Sequence, residues 1–195
     1  MGESYTIRQR LISVGRQLYD RGLQTTRSGN ISARYGTRFL ITRTEANLRA
    51  LKNSDLIPID VPEKRPIPVG ASTETLVHRA IYNATRALAI VHAHPPYAIA
   101  LAQITRAAGI RPVHNEGLVG LKWVPIIDTS VFGQEVGEDP DKIAEQLVDG
   151  CSVVIRGHGA FTVGRGPDEA LYKMLLLEDT CKINSISKSL QGRRT

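Results

Sequence analysis

A chain of 195 residues with 42% apolar and 23% charged residues has the make-up of an ordinary globular protein, long enough to bury a sizeable core. That balance excludes a disordered or fibrous chain, and no apolar run approaches the roughly 20 residues a membrane-spanning helix needs. The formal charge of +6 is scattered, and its one dense cluster, the terminal KSLQGRRT, has no aromatic residues for bases to stack on; a solvated tail or an anion-attracting surface is expected, and nucleic acid is not an expected partner.

In chain order, MGESYTIRQRL mixes charge into its first turns and lacks the apolar stretch of a secretory signal, so the cytosol is the expected compartment. Residues 5–21 place apolar side chains at 7, 11, 12, 14, 18 and 19, a helical spacing that Gly22 ends. TTRSGN breaks regular structure, and ISARYGTRFLIT reads as a hairpin turning at Gly36. Residues 56–61 read as a strand, followed by the loop PEKRPIPVGAS. Residues 74–86 read as a helix with Leu76, Val77, Ala80, Ile81 and Ala84 on one side. ALAIVHAHPP is a short buried strand stopped by two prolines, and YAIALAQ begins the next helix. KWVPIID is a strand in which Pro125 marks an edge or bulge. Residues 139–150 form a short helix with Pro140 at its first position and Gly150 beyond its end. SVVIRGHGAFTVG is a strand, a glycine-flanked turn and a second strand, and 167–187 make the last helix. With no internal repeat and no long linker, one α/β domain over 1–195 is expected. Cys151 and Cys181 lie far apart without CxxC spacing, which favours buried thiols over a thiolate metal site.

The chemistry starts at His92-Ala93-His94. Residues two apart in a strand face the same way, so both imidazoles can converge on one ion. A pair hydrogen-bonded to backbone at a strand end would look the same. His158, between Gly157 and Gly159, supplies the third imidazole that a catalytic zinc site with an open position requires. Glu74 opens the helix after Gly70-Ala71-Ser72-Thr73; the helix dipole alone would favour an acid there, and beside a metal it could shuttle a proton. His78, one turn later, is expected on the same face, as a residue that supports the ligands from behind or is simply packed there, rather than as a ligand. Ser28-Gly29-Asn30 and Ser72-Thr73 suggest an anion site: amides freed by the glycine, side-chain donors, and a helix N-terminus behind Ser72.

In sequence order, SGNIS (28–32), LITRTEA (40–46), ASTE (71–74), HAHPP (92–96) and RGHGAF (156–161) resemble the class II aldolase/adducin family. The likeness spans nearly the whole chain. It implies a three-layer α/β/α sandwich with a central, largely antiparallel sheet, and a homotetramer with active sites at subunit interfaces. His92, His94 and His158 match the family's zinc histidines, and Glu74 its catalytic glutamate, which can also ligate the resting metal. Ser72, Thr73, Gly29 and Asn30 match positions that hold a substrate phosphate, with Ser28 in the same turn and Thr44 at a further position near it. Three departures stand out. Glu45 replaces a glycine after Thr44 and would repel a phosphate if it pointed inward, which Arg27 could offset. The family's aldolase tyrosine, contributed by a neighbouring subunit, falls near Asn115, which leaves His114 or Glu116 as the substitute acid. The chain also ends soon after its last helix.

The activity implied is retro-aldol cleavage of a ketose 1-phosphate to dihydroxyacetone phosphate and an aldehyde. Epimerase, dehydratase or decarboxylase chemistry draws on the same residues, and adducin-like members use the fold for binding without a metal triad.

Overall fold

A computed structural model describes residues 3–62, 66–128 and 139–191; the GRRT end of the basic cluster and part of the PEKRPIPVGAS loop lie outside the described residues. Among the described residues eight strands form one sheet: β1 (Asn30–Tyr35), β2 (Arg38–Thr42), β3 (Leu56–Asp60), β4 (Ala89–Ala93), β5 (Gly109–Ile110), β6 (Val124–Ile127), β7 (Ser152–Ile155) and β8 (Gly159–Gly164). Their spatial order is β3-β2-β1-β4-β8-β7-β6-β5. Every pairing is antiparallel except β6 with β7, so the sheet is mixed but largely antiparallel, as the resemblance implied. Six α-helices among the described residues accompany it: α1 (Glu3–Asp20), α2 (Thr75–Ala84), α3 (Pro96–Ile104), α4 (Asn115–Gly120), α5 (Pro140–Gln146) and α6 (Pro167–Gln191).

The two-residue period of the strands divides the core between the faces of the sheet. Ile31, Ala33, Leu40, Ala89, Val91, Ala93, Val154 and Ala160 pack with α1, α3 and α6. Their alternates Phe39, Ile41, Ile90, Val153, Ile155, Phe161 and Val163 pack with α2 and α5. The side toward α6 is rich in alanine, which lets the 25-residue helix lie close to the sheet. No helix among the described residues is long and apolar enough to cross a membrane.

Several boundaries differ from the sequence reading. α2 starts at Thr75, with Glu74 as the residue capping it. Leu76, expected on its buried side, is 49% exposed, and Ala84 is exposed too, while His78 and Tyr82 are buried. The helix turns polar groups inward because β1 presents Asn30 and Ser32 to it. Strand β4 ends at Ala93, so His94 lies one residue past it. α6 runs on to Gln191. The short β5 and α4 carry too few residues for a periodic signal and went unread. Pro125 lies where β6 faces the two-residue β5, near the sheet edge, as expected. Asp139 caps α5 by accepting from the amides of Asp141 and Lys142. Both cysteines are free, and burial raises both thiol pKa values, that of Cys181 to about 12.

Candidate metal centre

Strand register assembles the site. Asn30 pairs with His92 and Ser32 with Ile90 across β1 and β4, so Asn30, Ser32 and His92 emerge on the face covered by α2. α2 brings Glu74 at its start and His78 and Tyr82 along its buried side. His158 arrives from the turn between β7 and β8, where Gly157 adopts φ +76°. Arg156 secures that turn: its guanidinium donates to Asp128 and to the carbonyls of Ala102 and Thr105.

Nε2 of His92 and Nε2 of His94 are 3.1 Å apart. One ligand atom from each of His92, His94 and His158 lies within 4.8 Å of the others, the one such group among the described residues. Nitrogens on a tetrahedral zinc, at about 2.0–2.1 Å from the ion, sit about 3.3 Å from one another, so small rotamer adjustments would close the set. His92 Nδ1–H donates to the carbonyl of Ala160 (3.1 Å), which leaves Nε2 as a lone pair directed at the cluster. His92 also stacks on Phe161, with centroids 4.3 Å apart. Gly159 makes room for the pair: a Cβ there would sit 2.5 Å from the Ala93 carbonyl, 2.8 Å from His94 Cδ2 and 3.0 Å from His92 Cε1. Burial, reinforced by the neighbouring imidazoles, holds His92 well below its usual pKa, and burial plus His158 lowers His94 to about 4. Neutral imidazoles at neutral pH suit a divalent cation. Glu74 Oε1 lies 3.3 Å from His92 Nε2 and 3.8 Å from His158 Nε2, within reach of the same ion.

These groups line an open cleft of about 270 Å³. Arg27, Ser28, Gly29, Asn30, Thr44, Ser72, Thr73 and Glu74, all singled out from sequence, line it with the three histidines. Glu45 lines it as well, at φ +54°, a left-handed conformation that a non-glycine residue adopts at a cost. Gly29 is also left-handed, at φ +68°, and a Cβ there would collide with the carboxamide of Gln24, which donates to the His92 carbonyl (3.2 Å). Gln24 therefore ties the Ser28-Gly29-Asn30 turn to β4.

His114 and Glu116 are not among the lining residues. His114 caps α4 and its Nε2 pairs with Thr180 Oγ1 of α6 (3.0 Å); Glu116 accepts from the Tyr172 hydroxyl (3.1 Å). Arg43, Gln24, Ser32 and Tyr82 belong to the site or its support and were missed. Arg43 lies inside the LITRTEA run, which could have flagged it; the others carry no local signal. A roomier hollow of about 640 Å³ between Trp123, Glu145, Cys151 and Lys173 holds no comparable cluster of ligands among the described residues.

His78 is fully buried, and burial lowers its pKa from 6.5 to about 3. Between those values the unfolded chain binds a proton that the folded chain refuses, so stability falls as pH falls through that window. We expect the metal-free protein to be about 2 kcal/mol less stable at pH 5 than at pH 7.5 from His78 alone, with His92 and His94 acting in the same direction. Urea unfolding at the two pH values measures it; equal midpoints would contradict the burial of a neutral imidazole.

The layering of helices on both faces of a mixed, largely antiparallel sheet is the fold of class II aldolases. The profile of the Class II Aldolase and Adducin N-terminal domain family matches residues 9–185, and the chain belongs to that family. Family and fold together make it a lyase of the aldolase type. It is similar to the L-fuculose-1-phosphate aldolase of Thermus thermophilus, with 34% identity, a TM-score of 0.88, and coverage of 95% of this chain and 96% of that one. An L-fuculose phosphate aldolase of Methanococcus maripaludis is 29% identical over 182 residues, 92% of this chain and 97% of its own. A probable bifunctional methylthioribose-1-phosphate isomerase/methylthioribulose-1-phosphate dehydratase of Nocardia farcinica is 30% identical over 89% of this chain, which spans about a third (34%) of that longer protein.

Proposed function

We propose that the protein is a cytosolic, zinc-dependent aldolase that cleaves a ketose 1-phosphate resembling fuculose 1-phosphate into dihydroxyacetone phosphate and an aldehyde. The observation that carries this reading is the meeting of His92, His94, His158 and Glu74 in a cleft walled by the Ser28-Gly29-Asn30 and Ser72-Thr73 loops. His92, His94 and His158 would hold the cation, with Glu74 able to join them; when bound, it supplies a Lewis acid for a vicinal carbonyl and hydroxyl. Glu74 Oε1 faces the reacting end of the cleft and would move the proton on or off the carbon of the enediolate fragment. The Ser28-Gly29-Asn30 turn and Ser72-Thr73 would hold the phosphate, aided by Arg27 and Thr44, so that binding remote from the reacting carbon orients it. The Asn30 carboxamide already serves Glu74 and His78, so its share in phosphate binding would fall to its remaining N–H and backbone.

His114 or Glu116 would serve the aldehyde oxygen from a neighbouring copy in a homotetramer. In support, α4 carries both residues at its start and exposes Leu118 and Val119, and Trp123 and Tyr172 add exposed apolar surface close by. Incubation with L-fuculose 1-phosphate, coupled to reduction of the dihydroxyacetone phosphate formed, tests the reading; no product from the zinc-loaded protein, or undiminished product after chelation, would overturn it.

A dehydratase acting on a methylthioribulose-like 1-phosphate is the second reading, favoured by the 30% identity to the Nocardia protein. Product analysis by NMR separates the two, since dehydration releases no aldehyde. Either way Glu45 lines the cleft, and its carboxylate would oppose a phosphate bound there. Glu45→Gly is expected to lower KM for a phosphorylated ketose about fivefold, the equivalent of removing about 1 kcal/mol of repulsion in a solvated site. An unchanged KM would mean that the carboxylate points away from the phosphate.

A further inference from the structure

A chain of buried hydrogen bonds runs from the cleft into the layer between sheet and α2. Asn30 Nδ2 lies 2.6 Å from Glu74 Oε2, and Asn30 Oδ1 lies 2.6 Å from His78 Nε2. His78 Nδ1 lies 2.7 Å from Ser32 Oγ, which lies 2.7 Å from the Tyr82 hydroxyl. Ser32 and His78 are fully buried, Tyr82 is 1% exposed and Asn30 6%. None of Ser32, His78 or Tyr82 lines the cleft.

The direction of every bond follows from the carboxylate end. An ionised Glu74 can only accept, so Asn30 must offer its amide nitrogen and turn its oxygen toward His78. That oxygen can only accept, so His78 must carry its proton on Nε2. Burial keeps the ring neutral, so Nδ1 accepts from the Ser32 hydroxyl, whose oxygen in turn accepts from Tyr82. All four bonds donate toward Glu74, and each polarises the next. The result selects one carboxylate oxygen for support: Oε2 is held by Asn30, and Oε1 is left facing His92 and His158. Without a donor at His78, the Asn30 carboxamide could turn over and set its oxygen against the carboxylate.

We propose that His78, backed by Ser32 and Tyr82, is a positioning residue that fixes the orientation of the Asn30 amide and, through it, the Glu74 oxygen presented to the reacting carbon. The inference rests on Glu74 as the proton-moving carboxylate, and its tests separate the two claims. First, ¹⁵N-histidine-labelled, zinc-loaded protein is examined for the tautomer of His78 at pH 7.5. The Nε2–H tautomer is expected; an Nδ1–H tautomer would reverse the chain and overturn the proposal, whatever the enzyme's reaction.

Second, zinc affinity and the exchange of dihydroxyacetone phosphate protons with deuterium oxide are compared in wild type, His78→Leu and His78→Gln. Leucine removes the donor, while the glutamine amide can still donate to Asn30 Oδ1. His78→Leu is expected to lose about tenfold or more in the exchange rate, with zinc affinity and the KM for dihydroxyacetone phosphate within about twofold of wild type; His78→Gln should recover most of the loss. Wild-type exchange in His78→Leu, or equal losses in both variants, would reduce His78 to packing. Absence of exchange in the wild type would instead count against the role of Glu74, and the tautomer would then decide the direction of the chain. Should His78→Leu fail to fold, Tyr82→Phe with an unaltered His78 tautomer and full exchange would confine the proposal's failure to the distal end, and loss of the Nε2–H tautomer there would support it.

Discussion

Replacing His92 by alanine is expected to abolish tight zinc binding and to lower turnover at least about 10³-fold, the scale of several kcal/mol of transition-state stabilisation by a bound cation. His92 is the most deeply placed of the three imidazoles: its ring is 1% exposed, stacked on Phe161, and tied by Nδ1–H to the Ala160 carbonyl. That anchoring fixes both tautomer and aim, so no neighbouring side chain can take its place. Removing it leaves two imidazoles on loops and a carboxylate, too few for a strong site with an open position. Metal content after dialysis and turnover in the presence of added zinc are the measurements. Retention of one zinc per chain with native turnover would sink the assignment of the metal site.

Glu74→Gln is expected to lower kcat by about 10²–10⁴-fold, the usual contribution of a positioned acid or base, while leaving KM nearly unchanged. Glutamine preserves volume, and its carbonyl oxygen can still accept from Asn30 Nδ2, so the fold and cleft should survive. What is lost is the charge beside His92 and His158 and the capacity to take a proton. The discriminating comparison is with zinc affinity, which three histidines should largely maintain. A glutamine variant with native kcat would remove Glu74 from the chemistry and leave it a part of the packing.

The divided fate of the candidate residues has a physical basis. The clustering of His92, His94 and His158 was legible because a metal centre draws on a small set of donor types, and HxH at a strand end followed by a glycine-flanked histidine supplies them in few positions. Gly29 and Gly157 were legible for a similar reason: left-handed backbone at φ +68° and +76° favours the residue without a Cβ. His78 was read as a residue packed beside the ligands or supporting them from behind, but its particular partners, Asn30 and Ser32, could not be read, since they depend on how α2 lies across β1. Leu76 went the other way: helical periodicity set it with the core, and the structure leaves it exposed.

His114 and Glu116 illustrate the limit for a single chain. Sequence position made them the substitutes for a missing tyrosine, and within one chain they bond to Thr180 and Tyr172 of α6 instead of lining the cleft.

By itself the sequence determined the longer elements, the alternation that gives the sheet two buried faces, and the three histidines that cluster, because these depend on residues near one another in the chain and on chemistry few residue types can perform. The tertiary structure alone decided which polar groups meet: that Asn30 faces His92, that its amide serves Glu74, and that Ser32 and Tyr82 stand behind His78. Such contacts are set by strand register and by the seating of α2 on the sheet; a shift of one residue in strand register would turn the same strand side chains to the opposite face.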